Sequence, residues 1–288
     1  MQINNKSKNK IQWDQSISSK RGWLEINLKE IISYKDLIYH LVKRDFVIFY
    51  KQTILGPLWY IIQPLFMTVV FTLIFSRIAN IPTDSVPPFI FYLAGNLMWG
   101  YFSTCLNQTG TLFVSNEYLF GKVYFPRICV PIANSIVSTI QFLIQFIIFV
   151  GFLIYFELSG ANLEQSYLVF FLPLMIIHLA IISVGSGLII SALTAKYRDL
   201  TFAMTFFIQL WMFLTPIVYP LTEVPDKYRM LICINPMTAP VEIFRKAFLG
   251  QSSIEINELI LSIFISIILF FIGLLLFNKV EKTFMDTV

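Results

Sequence analysis

Long uncharged runs separated by short polar connections dominate the pattern along this chain. Five runs exceed the roughly 20 helical residues needed to cross about 30 Å of hydrocarbon, and a sixth just reaches that length. Lipid offers the backbone no hydrogen-bond partners, and the runs do not alternate as barrel strands do, so each run predicts a helix. The expected fold is an all-α polytopic membrane protein whose six transmembrane helices occupy about residues 57–79, 88–113, 128–156, 167–195, 200–222 and 259–278.

Composition and charge agree with this fold and indicate its orientation. Hydrophobic residues make up 57% of the chain and charged residues 13%, against roughly 25% charged in soluble domains. Residues 1–22 are polar and lack the apolar core of a cleaved signal, so we expect a mobile cytoplasmic tail. With both termini in the cytoplasm, sixteen Lys and Arg lie inside and five outside. The net charge of +4 is therefore a topology signal, and nucleic acid is not an expected partner.

The segment 23–51 predicts an N-terminal amphipathic interface helix that leads directly into the first span. Ser33 is placed to cap a helix whose apolar face holds Leu37, Leu41 and Val42. Such a helix would lie in the membrane interface with its basic face toward headgroups and cytoplasm. A surface helix of a small soluble domain is the alternative, although no polar linker separates it from the span. Residues 52–288 then form the six-span transmembrane domain.

Two cytoplasmic connections carry side chains suited to binding a partner protein. The first, SNEYLFGKVYFPR at residues 115–127, has more aromatic groups than a short loop usually exposes, which predicts a docking element. Aromatic groups that dip into the lipid headgroups are the alternative. The second, residues 196–200, is a tight turn whose opposite charges pair with a partner or with each other.

The long outward connection, residues 223–258, is semi-apolar and is broken at Asn235-Pro236. Neither half is long enough to cross the bilayer, so we expect either re-entrant outer helices between spans 5 and 6 or two helices lying flat.

Within the spans, Trp99 is expected in an interhelical contact or along a pore. For His178 we favour a helix-to-helix hydrogen bond over a proton relay. The three cysteines predict buried, unpaired thiols.

The sequence lacks the motifs of an enzyme or of a nucleotide-binding domain. It contains no phosphate-binding glycine loop, no nucleophile grouped with a base and no metal-ligand cluster. The span cores hold no Asp, Glu, Lys or Arg, which argues against ion-coupled transport. If the protein moves a substrate uphill, a separate chain is the better source of energy, and we expect no cofactor or metal in this one.

Four motifs in order give the chain a specific resemblance to a known family. They are RDFVIFYKQTILGPLWYIIQP at residues 44–64, KVYFPR at 122–127, YRDL at 197–200 and INPM at 234–237. Over residues 23–285 the chain resembles the permease subunits of ABC exporters for bacterial surface polysaccharides. The resemblance implies a homodimer of six-span subunits in the bacterial cytoplasmic (inner) membrane. It also implies two copies of an ABC ATPase subunit, which would hold the ATP and Mg.

Two sets of residues follow from the motifs and their resemblance. The expected ATPase-coupling interface comprises Arg44, Asp45, Lys51, Glu117, Tyr118, Lys122, Tyr124, Phe125, Pro126, Arg127, Tyr197, Arg198 and Asp199. The expected translocation path comprises Gly56, Pro57, Trp59, Tyr60, Trp99, Phe102, Trp211 and Phe213.

The resemblance implies export of a lipid-linked polysaccharide by a subunit embedded in membrane lipid. The residues RDF and YFPR in these motifs favour O-antigen as the substrate. Teichoic acid or capsule is the alternative within the family. A permease of the same superfamily for a drug or small lipid would carry different loops or large outer domains. An ATP-independent lipid scramblase or channel is the alternative from another class.

Overall fold

The computed structural model describes residues 28–51, 54–123 and 125–287, which form helices and connections without a strand. The α-helices are α1 (Leu28–Ser33), α2 (Lys35–Lys51), α3 (Trp59–Phe71), α4 (Pro88–Gly110), α5 (Leu112–Ser115), α6 (Glu117–Phe120), α7 (Cys129–Leu158), α8 (Leu172–Thr194), α9 (Leu200–Leu214), α10 (Asp226–Ile234), α11 (Thr238–Leu249) and α12 (Ile256–Thr287). Short 3-10 helices cover Gly56–Leu58, Tyr167–Phe171 and Leu221–Glu223, and a π-helix covers Thr72–Ile78. The predicted all-α fold is confirmed for these residues.

Four helical segments in the described part of the chain are long and apolar enough to cross a membrane. They are Gly56–Ile78, Cys129–Leu158, Tyr167–Thr194 and Ile256–Glu281, which correspond to the predicted spans 1, 3, 4 and 6. Helices α4 and α9 occupy the places of the predicted spans 2 and 5. The first has 23 residues but is not apolar enough to join this group, and the second is apolar but too short. The six-span arrangement stays a prediction.

The predicted amphipathic helix is present as α2 and packs against α7. Leu41 on its apolar face is buried, whereas Lys35 and His40 on its polar face are exposed. Ser33 differs from its expected role as a cap. Its hydroxyl donates to the Glu30 carbonyl oxygen (2.6 Å) at the end of α1.

Helix α4 is the centre of the helical bundle and contacts α3, α7, α8, α9 and α11. Two of its polar side chains, Asn96 and Tyr101, find partners on those neighbours. The Asn96 amide donates to Thr68 Oγ1 on α3 (3.1 Å), and the Tyr101 hydroxyl lies 3.1 Å from Ser135 Oγ on α7. Protein surrounds this helix on several sides, so it can carry polar groups that a lipid-facing helix would have to leave unsatisfied.

Helix α9 ends at Leu214, well before the predicted end of span 5 at residue 222. The physical reason is Pro216, whose ring disfavours the helical conformation of the residue before it. Thr215 is accordingly extended, with φ −102° and ψ 139°. The 15 residues of α9 span about 22 Å at roughly 1.5 Å per residue, less than the hydrocarbon thickness.

The outer connection forms two helices, α10 and α11, with the break at Asn235-Pro236 that the sequence predicts. Helix α11 is buried among its neighbours α4, α8 and α12, whereas most of α10 is exposed. Gly250 ends α11 in the left-handed conformation (φ 75°), which favours glycine. The two-helix form of the connection is confirmed, and its re-entrant placement in a membrane stays a prediction.

Two side-chain expectations for the spans are met. His178 Nε2 on α8 lies 3.0 Å from Ser266 Oγ on α12, so this histidine joins two helices by a hydrogen bond. Cys105, Cys129 and Cys233 are buried and form no disulfide.

Helices α8 and α12 approach each other closely enough for their backbones to touch. A Cβ atom built on Gly185 would lie 2.8 Å from the Phe270 backbone, and one on Gly273 would lie 2.4 Å from the Gly185 carbonyl oxygen. Small residues allow close approach of helices in membranes, where packing rather than water expulsion drives association. This contact holds predicted spans 4 and 6 together.

The substitution Gly185→Ala is expected to lower the free energy of unfolding by about 1–3 kcal/mol, because the added methyl group overpacks the contact. Gly151→Ala is the matched control, since a Cβ there meets no atom within 4 Å, and it should be neutral or gain up to about 1 kcal/mol in a helix. Thermal unfolding of the purified protein in detergent compares the two. Equal effects of the two substitutions would contradict the close contact.

Candidate functional site

Arg44, a residue of the predicted coupling set, connects α2 to the first of the two connections predicted to be cytoplasmic. Arg44 Nε donates to Asp45 Oδ1 (2.7 Å), and Arg44 Nη2 reaches Asn116 Oδ1 at 3.4 Å. Asn116 lies between α5 and α6, and its amide also donates to the Leu112 carbonyl oxygen (3.2 Å). The guanidinium therefore joins the predicted interface helix to the start of the predicted docking loop.

The next residue of the same connection forms an ion pair with the second connection. Arg198 Nη2 donates to both carboxylate oxygens of Glu117, at 3.0 and 3.1 Å. The Arg198 side chain remains largely exposed and Glu117 about one-third exposed. This contact pairs Arg198 of the 196–200 turn with the first connection, an arrangement within the chain that the sequence did not predict.

Asn116 and Glu117 are adjacent in the chain, so the two contacts form one series. It runs from Arg44 on α2, through residues 116–117, to Arg198 before α9. The structure thus brings together three segments that were assigned to the coupling interface separately. Their contact with an ATPase stays a prediction.

Much of the apolar content of the docking loop packs inside the chain. Phe120 and Phe125 are buried and in contact, with ring centroids 5.7 Å apart, and Pro126 is buried as well. Arg127 is also buried, and its Nη1 donates to the Glu281 carbonyl oxygen on α12 (2.8 Å). Internal packing therefore explains aromatic residues that the sequence alone assigned to a partner surface.

Other members of the coupling set remain on the surface. Tyr118 is 75% exposed and contacts Lys122, and Tyr197 is about half exposed. Lys51 and Asp199 are exposed, and Tyr124 lies outside the described residues. The surface that this loop offers to another protein is therefore centred on Tyr118 and Lys122.

The entry to the first span turns at Gly56, whose left-handed φ of 50° is followed by a 3-10 turn that includes Pro57. Trp59 is 42% exposed, whereas Tyr60 is buried and stacks on Phe46 of α2 with ring centroids 6.2 Å apart. The two neighbouring aromatic residues thus have different surroundings. Trp59 is available to lipid, substrate or a second copy, and Tyr60 fixes α3 to α2.

Three aromatic residues predicted for the path, Trp99, Phe102 and Trp211, form a row between α4 and α9 together with Phe207, which was not predicted. Trp99 and Phe102 have ring centroids 5.0 Å apart, Phe102 and Trp211 are 4.9 Å apart, and Trp211 and Phe207 are 5.4 Å apart. Trp99 is only 7% exposed, so within one copy of the chain it lies in an interhelical contact. Phe213 is 52% exposed and lies outside this row. The assignment of these residues to a path stays a prediction.

Asn235, which the sequence marked only as a helix break, is the centre of a hydrogen-bond network. Its Oδ1 accepts from Trp211 Nε1 (2.9 Å) and from the Met237 amide (3.1 Å). Its Nδ2 donates to Thr215 Oγ1 (2.8 Å) and to the Leu214 carbonyl oxygen (3.2 Å). The asparagine therefore ties the end of α9 to the turn between α10 and α11, and its place in INPM was the available signal.

Asn235→Leu is expected to lower the free energy of unfolding by about 1–3 kcal/mol, because Trp211 and the end of α9 lose their partners. Asn257→Leu at an exposed position of α12 is the matched control and should stay within about ±0.5 kcal/mol. Thermal unfolding monitored by tryptophan fluorescence measures both. If Asn235→Leu lowers the unfolding temperature no more than Asn257→Leu does, the hydrogen bonds of Asn235 do not stabilise the end of α9.

A buried ion pair on α11 was not recognised from the sequence. Arg245 and Glu242 are almost completely buried, and Arg245 Nη1 lies 3.2 Å from Glu242 Oε1. The two Nη atoms also donate to the carbonyl oxygens of Pro216 (2.6 Å) and Ile217 (2.7 Å). Arg245 therefore satisfies the backbone of the irregular segment that follows α9.

A second ion pair fixes α10. Arg229 Nε donates to Glu258 Oε1 on α12 (2.9 Å), and its Nη2 donates to the Ser253 carbonyl oxygen (2.7 Å). The hydrogen bond from Arg229 to this carboxylate raises the pKa of the guanidinium, so Arg229 stays charged. From the sequence, Arg229 and Arg245 were known only as two of the Lys and Arg residues in the outward connections.

These elements define a polytopic helical membrane protein with contacts between the connections predicted to be cytoplasmic. The chain belongs to the ABC-2 type transporter family, whose model matches residues 36–249. The membership predicted from the four motifs is therefore confirmed.

Several curated proteins are similar to this chain over most of its length. An O-antigen export system permease protein RfbA of Klebsiella pneumoniae is 27% identical over 264 residues, which cover 91% of this chain and 99% of that protein. A protein of the same name from Myxococcus xanthus is 24% identical, with coverage of 91% and 98%. The polysialic acid transport protein KpsM of Escherichia coli is 26% identical over 240 residues, covering 81% of this chain and 89% of that protein.

Proposed function

We propose that this chain is the transmembrane subunit of an ATP-driven exporter that moves a lipid-linked polysaccharide across the bacterial inner membrane. The observation that carries the proposal is the nearly end-to-end similarity to export permeases, reaching 99% of the length of one O-antigen relative. O-antigen is the preferred substrate, because the O-antigen permeases cover 91% of this chain, against 81% for the polysialic acid transport protein KpsM.

Coupling to a separate ATPase is the second part of the proposal. In the described residues, the contacts from Arg44 to Asn116 and from Glu117 to Arg198 connect three cytoplasmic segments. A partner that moves residues 116–117 would therefore act on α2 and on the start of α9 at the same time. Two ATPase copies, holding ATP and Mg, and a second copy of this chain complete the proposed assembly.

A second copy is consistent with the exposed aromatic side chains of α9. Phe202, Phe206 and Phe213 are each more than half exposed, and only Met204 and Ile208 on this helix are buried. Lipid covers such a surface, and a second copy or a glycan can also contact it. A path between two copies would use aromatic faces that attract sugars without fixing one position.

Depletion of the chain in its source bacterium, followed by affinity purification of the tagged protein, tests the proposal. We expect lipid-linked polymer to accumulate on the cytoplasmic side and an ABC ATPase subunit to copurify in equal amount. Normal surface polymer after depletion would overturn the export function. Reproducible purification without an ATPase would favour an ATP-independent scramblase or channel.

A further inference from the structure

The segment after the π-helix and the segment before and within α10 form an open cleft of about 470 Å³. Its volume falls within the roughly 300–1,000 Å³ of small-molecule sites. One wall is formed by residues 79–82, and the other by residues 219–232. The charge count of the loops predicts that both walls lie on the outer side of the membrane.

The side chains that line the cleft combine aromatic groups with a few hydrogen-bonding groups. Tyr219 and Tyr228 supply the aromatic groups, and Glu223 and Asn80 supply a carboxylate and an amide. A sugar ring presents an apolar C–H face and a rim of hydroxyl groups, which match these two kinds of group. The cleft lining contains no Lys or Arg, and Glu223 would repel a phosphate, so an anionic headgroup is a poor occupant.

The walls of the cleft are held in place by contacts outside its lining. Thr222 Oγ1 donates to Asp84 Oδ1 (2.7 Å), which joins the two outer connections. Helix α10, which carries Tyr228, is fixed to α12 through Arg229 and Glu258. A preformed site costs a ligand less ordering entropy than one that must assemble on binding.

The first wall also contains backbone in the left-handed conformation. Asn80, Asp84 and Ser85 all have positive φ values, of 54°, 48° and 66°. These are the positive-φ residues other than glycine in the described part of the chain. Such conformations cost free energy and cluster at ligand clamps. Here the first of them, Asn80, lies in the cleft wall.

We propose that this outer cleft binds a sugar unit of the polysaccharide, with the tyrosine rings against the sugar face and Glu223 and Asn80 bonded to its hydroxyls. The inference rests on the proposed export function. It adds a glycan-binding site at the outer connections, separate from the aromatic row between α4 and α9. A sugar held there would hinder backward sliding of the polymer while the next units enter.

Site-specific photocrosslinking in growing cells tests the assignment. The photoreactive amino acid p-benzoylphenylalanine replaces Tyr228 in the full-length chain, and in a control it replaces Met230, which is exposed on α10 but does not line the cleft. The cells receive tritiated glucose to label their polysaccharide and 32P-phosphate to label their phospholipid. We expect at least about fivefold more tritiated glycan crosslinked at position 228, the ratio that corresponds to roughly 1 kcal/mol of preferential contact.

The outcomes separate this inference from the proposed function. If surface polymer depends on the chain but position 228 captures no more glycan than position 230, the cleft assignment is overturned and the export function stands. Capture of 32P-lipid without glycan likewise overturns the assignment in favour of a lipid site. If surface polymer is unchanged without the chain, the export function fails and the inference fails with it.

Substitutions give a readout that does not depend on the crosslinker. Tyr228→Ala combined with Glu223→Gln should lower surface polymer about tenfold, the effect of losing roughly 1.4 kcal/mol of binding. The control Met230→Ala, at an exposed position of α10 outside the cleft lining, should export normally. The amount of each variant in the membrane is measured in parallel. Normal export by the Ala–Gln variant at a normal membrane level would overturn the proposal.

Discussion

Replacing Arg245 with Met is expected to remove about 3–5 kcal/mol from the free energy of unfolding, because Glu242 is left as an unpaired buried charge. Arg245 Nη1 lies 3.2 Å from Glu242 Oε1, and its guanidinium carbon lies 3.7 Å from the Phe91 ring centroid. The carbonyl oxygens of Pro216 and Ile217 lose their donors as well. Thermal unfolding and the yield of monodisperse protein in detergent measure the loss.

Two further variants identify the cause of this effect. Lys246→Met removes the same charge from the next position, where the side chain is half-buried and forms no ion pair with the described residues. It should change stability by no more than about 0.5 kcal/mol. Arg245→Met combined with Glu242→Leu removes both buried charges and should recover part of the loss. If Arg245→Met and Lys246→Met unfold at the same temperature, the buried ion pair does not stabilise the fold.

The buried arginine also explains how the bundle accommodates an irregular segment. Backbone that leaves the helix at membrane depth needs protein partners, since lipid provides none. The segment after α9 obtains them from Arg245, and Gly95 on α4 leaves room for the guanidinium. A Cβ built on Gly95 would lie 2.9 Å from Arg245 Nη2. The early end of α9 and the burial of Arg245 are thus parts of one arrangement.

The sequence predicted those features that depend on local chemistry. Pro236 after Asn235 marks the break between α10 and α11, and Pro88 marks the start of α4, as expected from the loss of a backbone donor. The early end of α9 was predictable in the same way from Pro216, but the apolar run continues past it. Hydrophobicity indicates which residues avoid water, and it does not indicate where the helix stops.

Features that depend on tertiary contacts were not available from the sequence. Glu242 and Arg245 have the i,i+3 spacing of an ordinary exposed pair, and only the packing of α11 against α4 buries them. Phe120 and Phe125 suggested a docking surface because the sequence does not show that they pack on each other. The connection between α2, residues 116–117 and Arg198 likewise joins motifs that are far apart in the chain.

Reversing either charge of the Glu117–Arg198 pair is expected to lower polysaccharide export about tenfold, within the range of coupling free energies of roughly 1–3 kcal/mol. Stability should change little, because exposed ion pairs contribute about 0–1 kcal/mol. The expected loss therefore concerns transmission between the two connections, which are joined by the contacts of Arg198 Nη2 with both Glu117 oxygens, at 3.0 and 3.1 Å. Surface polymer in cells depleted of the native chain measures it.

The swapped variant, Glu117→Arg with Arg198→Glu, tests whether the contact itself matters. The swap restores opposite charges at the two positions, so it should recover most of the export lost in either single variant. If the losses of the two single variants add up instead, each residue acts independently. Lys196→Glu reverses a neighbouring exposed charge that forms no ion pair with the described residues, and it should have a smaller effect. If the swap exports no better than the single variants at equal membrane levels and equal ATPase copurification, the pair does not transmit motion, and α9 must receive it through other contacts.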